Sequence, residues 1–141
     1  MLVTAESCTG GLIAASCTEL PGCSQWFDRG FVTYTNEAKS DMLDVPKELI
    51  EQHGAVSKEV VEAMADGAVK KAGDKNRIAI SVSGIAGPDG GTTDKPVGTV
   101  WIGYADDKGV ESKLLQLKGS RADIRQSTVE YSVGWVLTHL K

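Results

Sequence analysis

The chain has 141 residues, 41% of them hydrophobic and 24% charged, and a formal charge of -4. That is enough for one core burying about two-thirds of the unfolded surface, and it is too acidic for a nucleic-acid binder working through broad electrostatics. No apolar run approaches the ~20 residues of a membrane-spanning helix, and no basic stretch followed by an apolar one opens the chain, so a cytoplasmic protein without a membrane or nucleic-acid partner is expected.

The chain opens with a strand-like Leu2 to Ala5 and passes through Thr4-Ala5-Glu6-Ser7-Cys8-Thr9-Gly10-Gly11 into a helical pattern from Gly10 to Leu20, stopped by Pro21-Gly22. Phe31 to Tyr34 is β-branched and aromatic and predicts a second strand, followed by a short helix from Asn36 to Leu43. Pro46 opens another short helix ending near Gly54. Ser57 then caps a longer one, with Val60, Val61, Met64, Ala65 and Ala68 on one face up to Gly73. Arg77 to Ser83 alternates like a strand and runs into the glycine-rich Gly84 to Gly91. Val97 to Ala105 and Val110 to Leu117 predict an antiparallel pair, and Ser120 to Lys141 a closing helix.

The order β-α-β-α-α-α-β-β-β-α, without repeats or long linkers, predicts an α/β fold over residues 1–141: a single-domain layered sheet with mixed parallel and antiparallel strands and helices packed on it. Ligands of open α/β sheets sit beyond the carboxyl ends of strands. Three segments leave such ends, ESCTGG, TYTNEAK and SGIAGPDGG, and the fold predicts that they converge.

A serine between a strand end and a helix start is a candidate nucleophile, because helix N-terminal amides stabilise a developing oxyanion; equally, Ser7 or Thr9 serves as a helix cap. His53, near a helix end, and His139, near the C-terminus, suit surface or capping roles better than a triad. Ser-Lys chemistry is the alternative. Lys39, in the helix after the second strand, turns its amine toward Ser7 if that helix packs beside it, and acts as a base only if burial or neighbouring positive charge lowers its pKa. Tyr34 is placed to hydrogen-bond either partner and relay the proton. Cys8 is a rival nucleophile without a histidine partner.

The run SGIAGPDGG suits either an anion cradle or a tight turn. Arg121 and Arg125, four residues apart, present two guanidinium groups on one helix face, which suits anion binding or simple solvation. Cys8, Cys17 and Cys23 show no C-x-x-C spacing, and the histidines lie far apart, so no metal site, disulfide framework or cofactor is expected. Trp26, Phe27, Trp101 and Trp135 are more aromatic surface than a small core readily hides, which predicts a homo-oligomer.

TAESCTGG, WFDRGFVTYTNEAKSDMLDV, HGAVS and SVSGIAGPDGGTTDKPVGTVWIG, in that order, resemble the CinA C-terminal domain family, whose stand-alone members are nicotinamide-nucleotide amidases. The resemblance covers nearly the whole chain. It implies metal-free hydrolysis of nicotinamide mononucleotide to nicotinic acid mononucleotide and ammonia in pyridine nucleotide recycling. Ser7 would be the nucleophile, Lys39 the base and Tyr34 its assistant. Cys8, Thr9, Gly10 and Asn36 would stand beside them, and Ser83, Gly84, Ile85, Ala86 and Gly87 would line the pocket. Of Arg121 and Arg125, the resemblance favours Arg125 for the anion. Members of the family carry a helix ahead of TAESCTGG, which implies that the first strand is less covered here. Multidomain relatives bring in the competing expectation of a non-catalytic interaction or regulatory domain.

Overall fold

A computed structural model describes residues 1–73 and 75–141. Five strands, β1 (Leu2–Glu6), β2 (Phe27–Val32), β3 (Ile78–Gly84), β4 (Thr99–Asp106) and β5 (Gly109–Gln116), form one sheet in the order β2-β1-β3-β4-β5. β1 pairs in parallel with both β2 and β3, while β3/β4 and β4/β5 are antiparallel. The expected α/β sheet of mixed direction is what the chain forms. Glu6 lies opposite Val32 on one side and Val82 on the other, so the carboxyl ends of β1, β2 and β3 share one edge and their loops converge there.

Among the described residues five α-helices cover the sheet: α1 (Leu12–Thr18), α2 (Asn36–Leu43), α3 (Lys47–His53), α4 (Lys58–Ala72) and α5 (Arg121–His139). Strand alternation sorts the core into two clusters. Leu2, Ile80, Val82, Ile102 and Tyr104 face Ile13 of α1 and Ile124, Val129 and Val136 of α5. Val3, Ala5, Ala79 and Ala105 face Leu43, Ile50, Val60, Met64 and Ala68 of α2, α3 and α4. The domain is therefore three-layered.

Two elements, β2 and α1, differ most from the sequence expectation in their bounds. β2 begins at Phe27 rather than Phe31 and ends before Thr33, because it is an edge strand in which the polar Asp28 and Arg29 break the apolar pattern. Its Asp28 accepts a 3.0 Å bond from Arg77. α1 begins at Leu12 rather than Gly10, since Gly10 and Gly11 adopt φ of 59° and 102° and form a left-handed entry that no helix includes.

His139 also departs from a surface role. Its ring stacks on Tyr104 with centroids 3.9 Å apart, and its nitrogens reach the Trp135 carbonyl and Glu111. This contact fastens the end of α5 to the β4–β5 pair. His53 stays at the end of α3, 3.6 Å from Glu59. Of the four aromatic residues expected to seek a partner, Trp26 is exposed, while Phe27, Trp101 and Trp135 are half-buried. Among the described residues no helix is long and apolar enough to cross a membrane.

Gly67, in the middle of α4, is where α2 is seated. A Cβ there would stand 2.1 Å from the Leu43 carbonyl oxygen, so α2 can approach α4 only across a bare glycine. In an open helix face Gly→Ala gains about 1 kcal/mol. Gly67→Ala should instead lower stability by roughly 1–3 kcal/mol through overpacking, measured by urea unfolding; an alanine variant at least as stable as the parent would refute this account of the α2–α4 contact.

Candidate active site

The turn after β1 is clamped from both neighbouring strands. Ser7 N–H donates to Val82 O at 3.1 Å, and Thr33 N–H donates to Glu6 O at 2.8 Å, carrying the parallel ladders one step past the last strand residues. Ser7 is thus held between the ends of β2 and β3. The chain then turns at Thr35, whose side chain caps α2 by accepting the Ala38 N–H at 3.1 Å, and Lys39 follows on the buried side of that helix.

Lys39 is 1% exposed. Its Nζ lies 3.1 Å from Ser7 Oγ, 3.0 Å from Thr33 O and 3.1 Å from Tyr34 O. Among the described residues no carboxylate stands within ion-pair distance of it. Burial accordingly holds its amine below the ordinary lysine value, with the neighbouring Cys8 thiol acting weakly in the opposite sense. The geometry also fixes the lone pair. Two carbonyl oxygens can only accept, so a neutral amine gives them its two N–H bonds and turns its lone pair toward the Ser7 hydroxyl.

An open cleft of ≈ 220 Å³ lies over this pair, lined by Ser7, Cys8, Tyr34, Asn36, Lys39, Ala55, Val56, Ser83, Gly84, Ala86 and Arg121. The sequence-stated candidates Ser7, Cys8, Tyr34, Asn36, Lys39, Ser83, Gly84, Ala86 and Arg121 therefore come together. Thr9, Gly10, Ile85, Gly87 and Arg125 do not line the cleft. Thr9 is fully buried behind it, Gly10 forms the left-handed turn, and Ile85 is engaged through its backbone with Gly98 and Thr99. Gly87 contributes its carbonyl, which accepts a 2.7 Å bond from Arg121 Nη1.

Two placements correct the expectations. The Tyr34 hydroxyl does not reach Ser7 or Lys39. Tyr34 lies past the end of β2, 60% exposed, and its hydroxyl meets Arg121 Nη2 at 3.4 Å, so its bond to Lys39 comes from the backbone carbonyl. The guanidinium of Arg125 is occupied: Nε donates to Cys8 O at 3.1 Å and Nη2 to Thr9 O at 3.2 Å. Arg121, one turn earlier, is the arginine that faces the cleft.

The rival nucleophile is quenched by its surroundings. Cys8 is 5% exposed, and burial pushes its thiol up to about 11 against the smaller effect of its own backbone amide and of Arg125, Lys39 and Arg121. Near neutrality it stays protonated and poorly nucleophilic. Among the described residues no group of three His, Cys, Asp or Glu side chains is placed to hold a metal ion.

Sequence reasoning missed Ala55, Val56 and Glu6. Ala55 enters because the Ser83 hydroxyl donates to its carbonyl at 2.7 Å, tying the segment after α3 to the end of β3. A larger cavity of ≈ 380 Å³ lies at the opposite end of the sheet, walled by Met1, Leu2, Ile78, Val136 and Leu140 and almost wholly apolar.

The lowered pKa of Lys39 has a thermodynamic counterpart. Between that lowered value and the unfolded value of about 10.4, the unfolded chain holds a proton that the folded chain lacks, so stability contributed at this site rises with pH through that window. The unfolding free energy of the parent minus that of Lys39→Met should therefore grow as pH is raised from neutrality toward 10, measured by urea titrations at several pH values. A difference that is flat or falls with pH would contradict a depressed lysine.

Known proteins resemble the chain throughout. The profile of the CinA C-terminal domain matches residues 1–140. The chain is 52% identical over 130 residues to the nicotinamide-nucleotide amidohydrolase PncC of Enterobacter agglomerans, covering 92% of this chain and 78% of that one. It is 49% identical to a CinA-like protein of Geotalea uraniireducens, covering 99% of this chain but 33% of that longer one. Among solved structures, competence/damage inducible protein CihA from Agrobacterium tumefaciens superposes with a TM-score of 0.95 at 43% identity, over 100% of this chain and 86% of that one. With a family profile spanning all but the last residue and this fold and sequence shared at such identity, the chain belongs to the CinA C-terminal domain family.

Proposed function

We propose that this protein is a nicotinamide-nucleotide amidase that uses Ser7 as nucleophile and Lys39 as base, acting in the cytoplasm on nicotinamide mononucleotide and returning it to pyridine nucleotide synthesis. The observation that carries the reading is the 3.1 Å contact between Ser7 Oγ and a buried lysine amine without a counter-charge. Relatives named nicotinamide-nucleotide amidohydrolase support the substrate.

In the reaction, Ser7 Oγ attacks the carboxamide carbon while its proton passes to the Lys39 lone pair. The tetrahedral intermediate collapses, the C–N bond breaks, and Lys39 returns the proton to the leaving nitrogen, which departs as ammonia. Water then attacks the acyl ester with Lys39 again as base, releasing nicotinic acid mononucleotide and restoring Ser7. The first amides of α1 do not serve as the oxyanion hole, since Ile13 N–H and Ala14 N–H are bound to Glu6. Donors for the oxyanion come from the turn that follows Ser7 or from the loop after β3. Arg121, anchored through Nη1 to Gly87, holds the phosphate with Asn36 and Ser83 nearby.

A non-catalytic role finds its support in the Geotalea relative, in which a matching domain is one-third of a longer chain. Ammonia release from nicotinamide mononucleotide separates the two readings. Ser7→Ala and Lys39→Ala should each lower kcat by roughly 10³-fold or more, and the double variant should cost little beyond the worse single one, because the pair acts as a unit. Lys39→Arg should not restore turnover, since a guanidinium stays charged and accepts no proton. Near-normal turnover by a folded Ser7→Ala protein would return this segment to a capping role.

The same proposal includes a homo-oligomer. Leu20, Trp26, Leu137 and Leu140 are exposed around the apolar cavity at the far end of the sheet from the cleft. Light scattering at micromolar concentration should give a mass above that of one chain, and a monomer would refute the assembly while leaving the amidase reading intact.

A further inference from the structure

Glu6 is fully buried, immediately precedes the nucleophile, and takes no part in the mechanism above. Its carboxylate accepts three hydrogen bonds: Oε1 from the Thr9 hydroxyl at 2.7 Å and from Ile13 N–H at 2.9 Å, and Oε2 from Ala14 N–H at 3.0 Å. Its own carbonyl accepts from Thr33 N–H at 2.8 Å, the residue whose carbonyl in turn holds Lys39 Nζ at 3.0 Å. One residue thus touches both the segment carrying the nucleophile and the segment carrying the base.

Resting on the amidase reading, we infer that Glu6 is a positioning residue for the reaction: its carboxylate draws Thr9 and the start of α1 onto the end of β1 and so fixes the Ser7 turn at hydrogen-bonding distance from Lys39. Gly10 N–H donates to Ser7 O at 3.1 Å and Leu12 N–H to Thr9 O at 3.1 Å, so the turn is a chain of short-range bonds whose two ends are Glu6 and the helix it holds. Arg125 braces the same turn from α5 through the Cys8 and Thr9 carbonyls. Alternation along β1 turns the Glu6 side chain to the α1/α5 face, where it neighbours Cys17; burial first, and the Glu6 charge next, push that thiol up to about 11. The carboxylate therefore acts on Ser7 through the backbone and makes no hydrogen bond to Lys39, which lies on the other face.

Glutamine is the informative replacement. It has the same length, but its amide nitrogen cannot accept, so at least one of the three donors is left buried without a partner. Folded Glu6→Gln should lose roughly tenfold or more in kcat for nicotinamide mononucleotide, with KM within about twofold and the acid limb of the pH profile unshifted, as expected when a nucleophile is displaced without loss of substrate contacts. Thr9→Val should give a smaller fall of the same type, and Thr9→Ser, which keeps the hydroxyl, should restore it. A kcat within twofold of the parent in folded Glu6→Gln, or a rise in KM alone, overturns the inference. If Glu6→Gln does not fold, equal kcat in Thr9→Val and Thr9→Ser overturns it instead. A fluorophosphonate that labels Ser7 gives a readout independent of the substrate. If the parent chain does not hydrolyse nicotinamide mononucleotide, the amidase reading fails on its own, and the labelling rates still decide the role of Glu6: slower labelling in the variants supports it, and equal rates refute it.

Discussion

Removing an ammonium ion from water without a counter-ion costs several kcal/mol, and this fold places the Lys39 amine in that position. The molecule can meet the cost in two ways, by bringing up a carboxylate or by letting the amine lose its proton. Among the described residues it brings up only neutral oxygens, the Thr33 and Tyr34 carbonyls and the Ser7 hydroxyl, which hydrogen-bond either form and neutralise neither. The basicity of the site is therefore lowered by packing alone. That packing depends on α2 lying hard against α4, which the bare backbone at Gly67 permits.

β1 separates two buried ionisable groups that would disable each other if they met. Glu6 faces α1 and α5 and spends its carboxylate on helix amides and a hydroxyl, while the next residue, Ser7, bonds the lysine on the α2 side. A carboxylate on the lysine side would form an ion pair, raise the lysine pKa, and leave a charged amine with no lone pair for the serine. Period-two alternation of a strand provides the separation within one residue. The positive end of α1 is likewise spent on structure. Its first amides hold Glu6, so under the amidase reading they are not free for an oxyanion.

Much of this was legible in the sequence because it follows from rules of short range. Strand and helix periods gave the element order. A serine at a strand end beside a glycine pair, and a lysine one turn into the helix after the neighbouring strand, make Ser7 and Lys39 candidates but suit a helix cap and a solvated lysine equally well; the resemblance of the longer motifs is what singles them out. What was illegible depends on partners far along the chain. Glu6 looks like any residue at a strand end until α1 folds back over it. Tyr34 looks like a strand residue aimed at its neighbours, but β2 ends at Val32 and frees the ring to meet Arg121. β2 itself was read short because an edge strand with Asp28, Arg29 and Gly30 lacks the apolar alternation that reveals inner strands.

The two arginines of α5 show why spacing alone could not assign roles. Residues four apart on a helix share a face, yet they differ by just over one turn, about 6 Å along the axis. The capping box of Ser120 and Asp123 fixes where the helix starts and thus which arginine meets which backbone. Arg125 falls beside the Ser7 turn and is consumed by its two carbonyls, whereas Arg121 reaches the cleft. Its hold on Gly87 at 2.7 Å is short and its contact with Tyr34 at 3.4 Å is long. Under the amidase reading, an incoming phosphate oxygen can take the Nη2 side by displacing only the weaker of the two. The guanidinium then stays anchored and pre-oriented through Nη1, so binding the anion does not require the pocket wall to give up the bond that holds it in place.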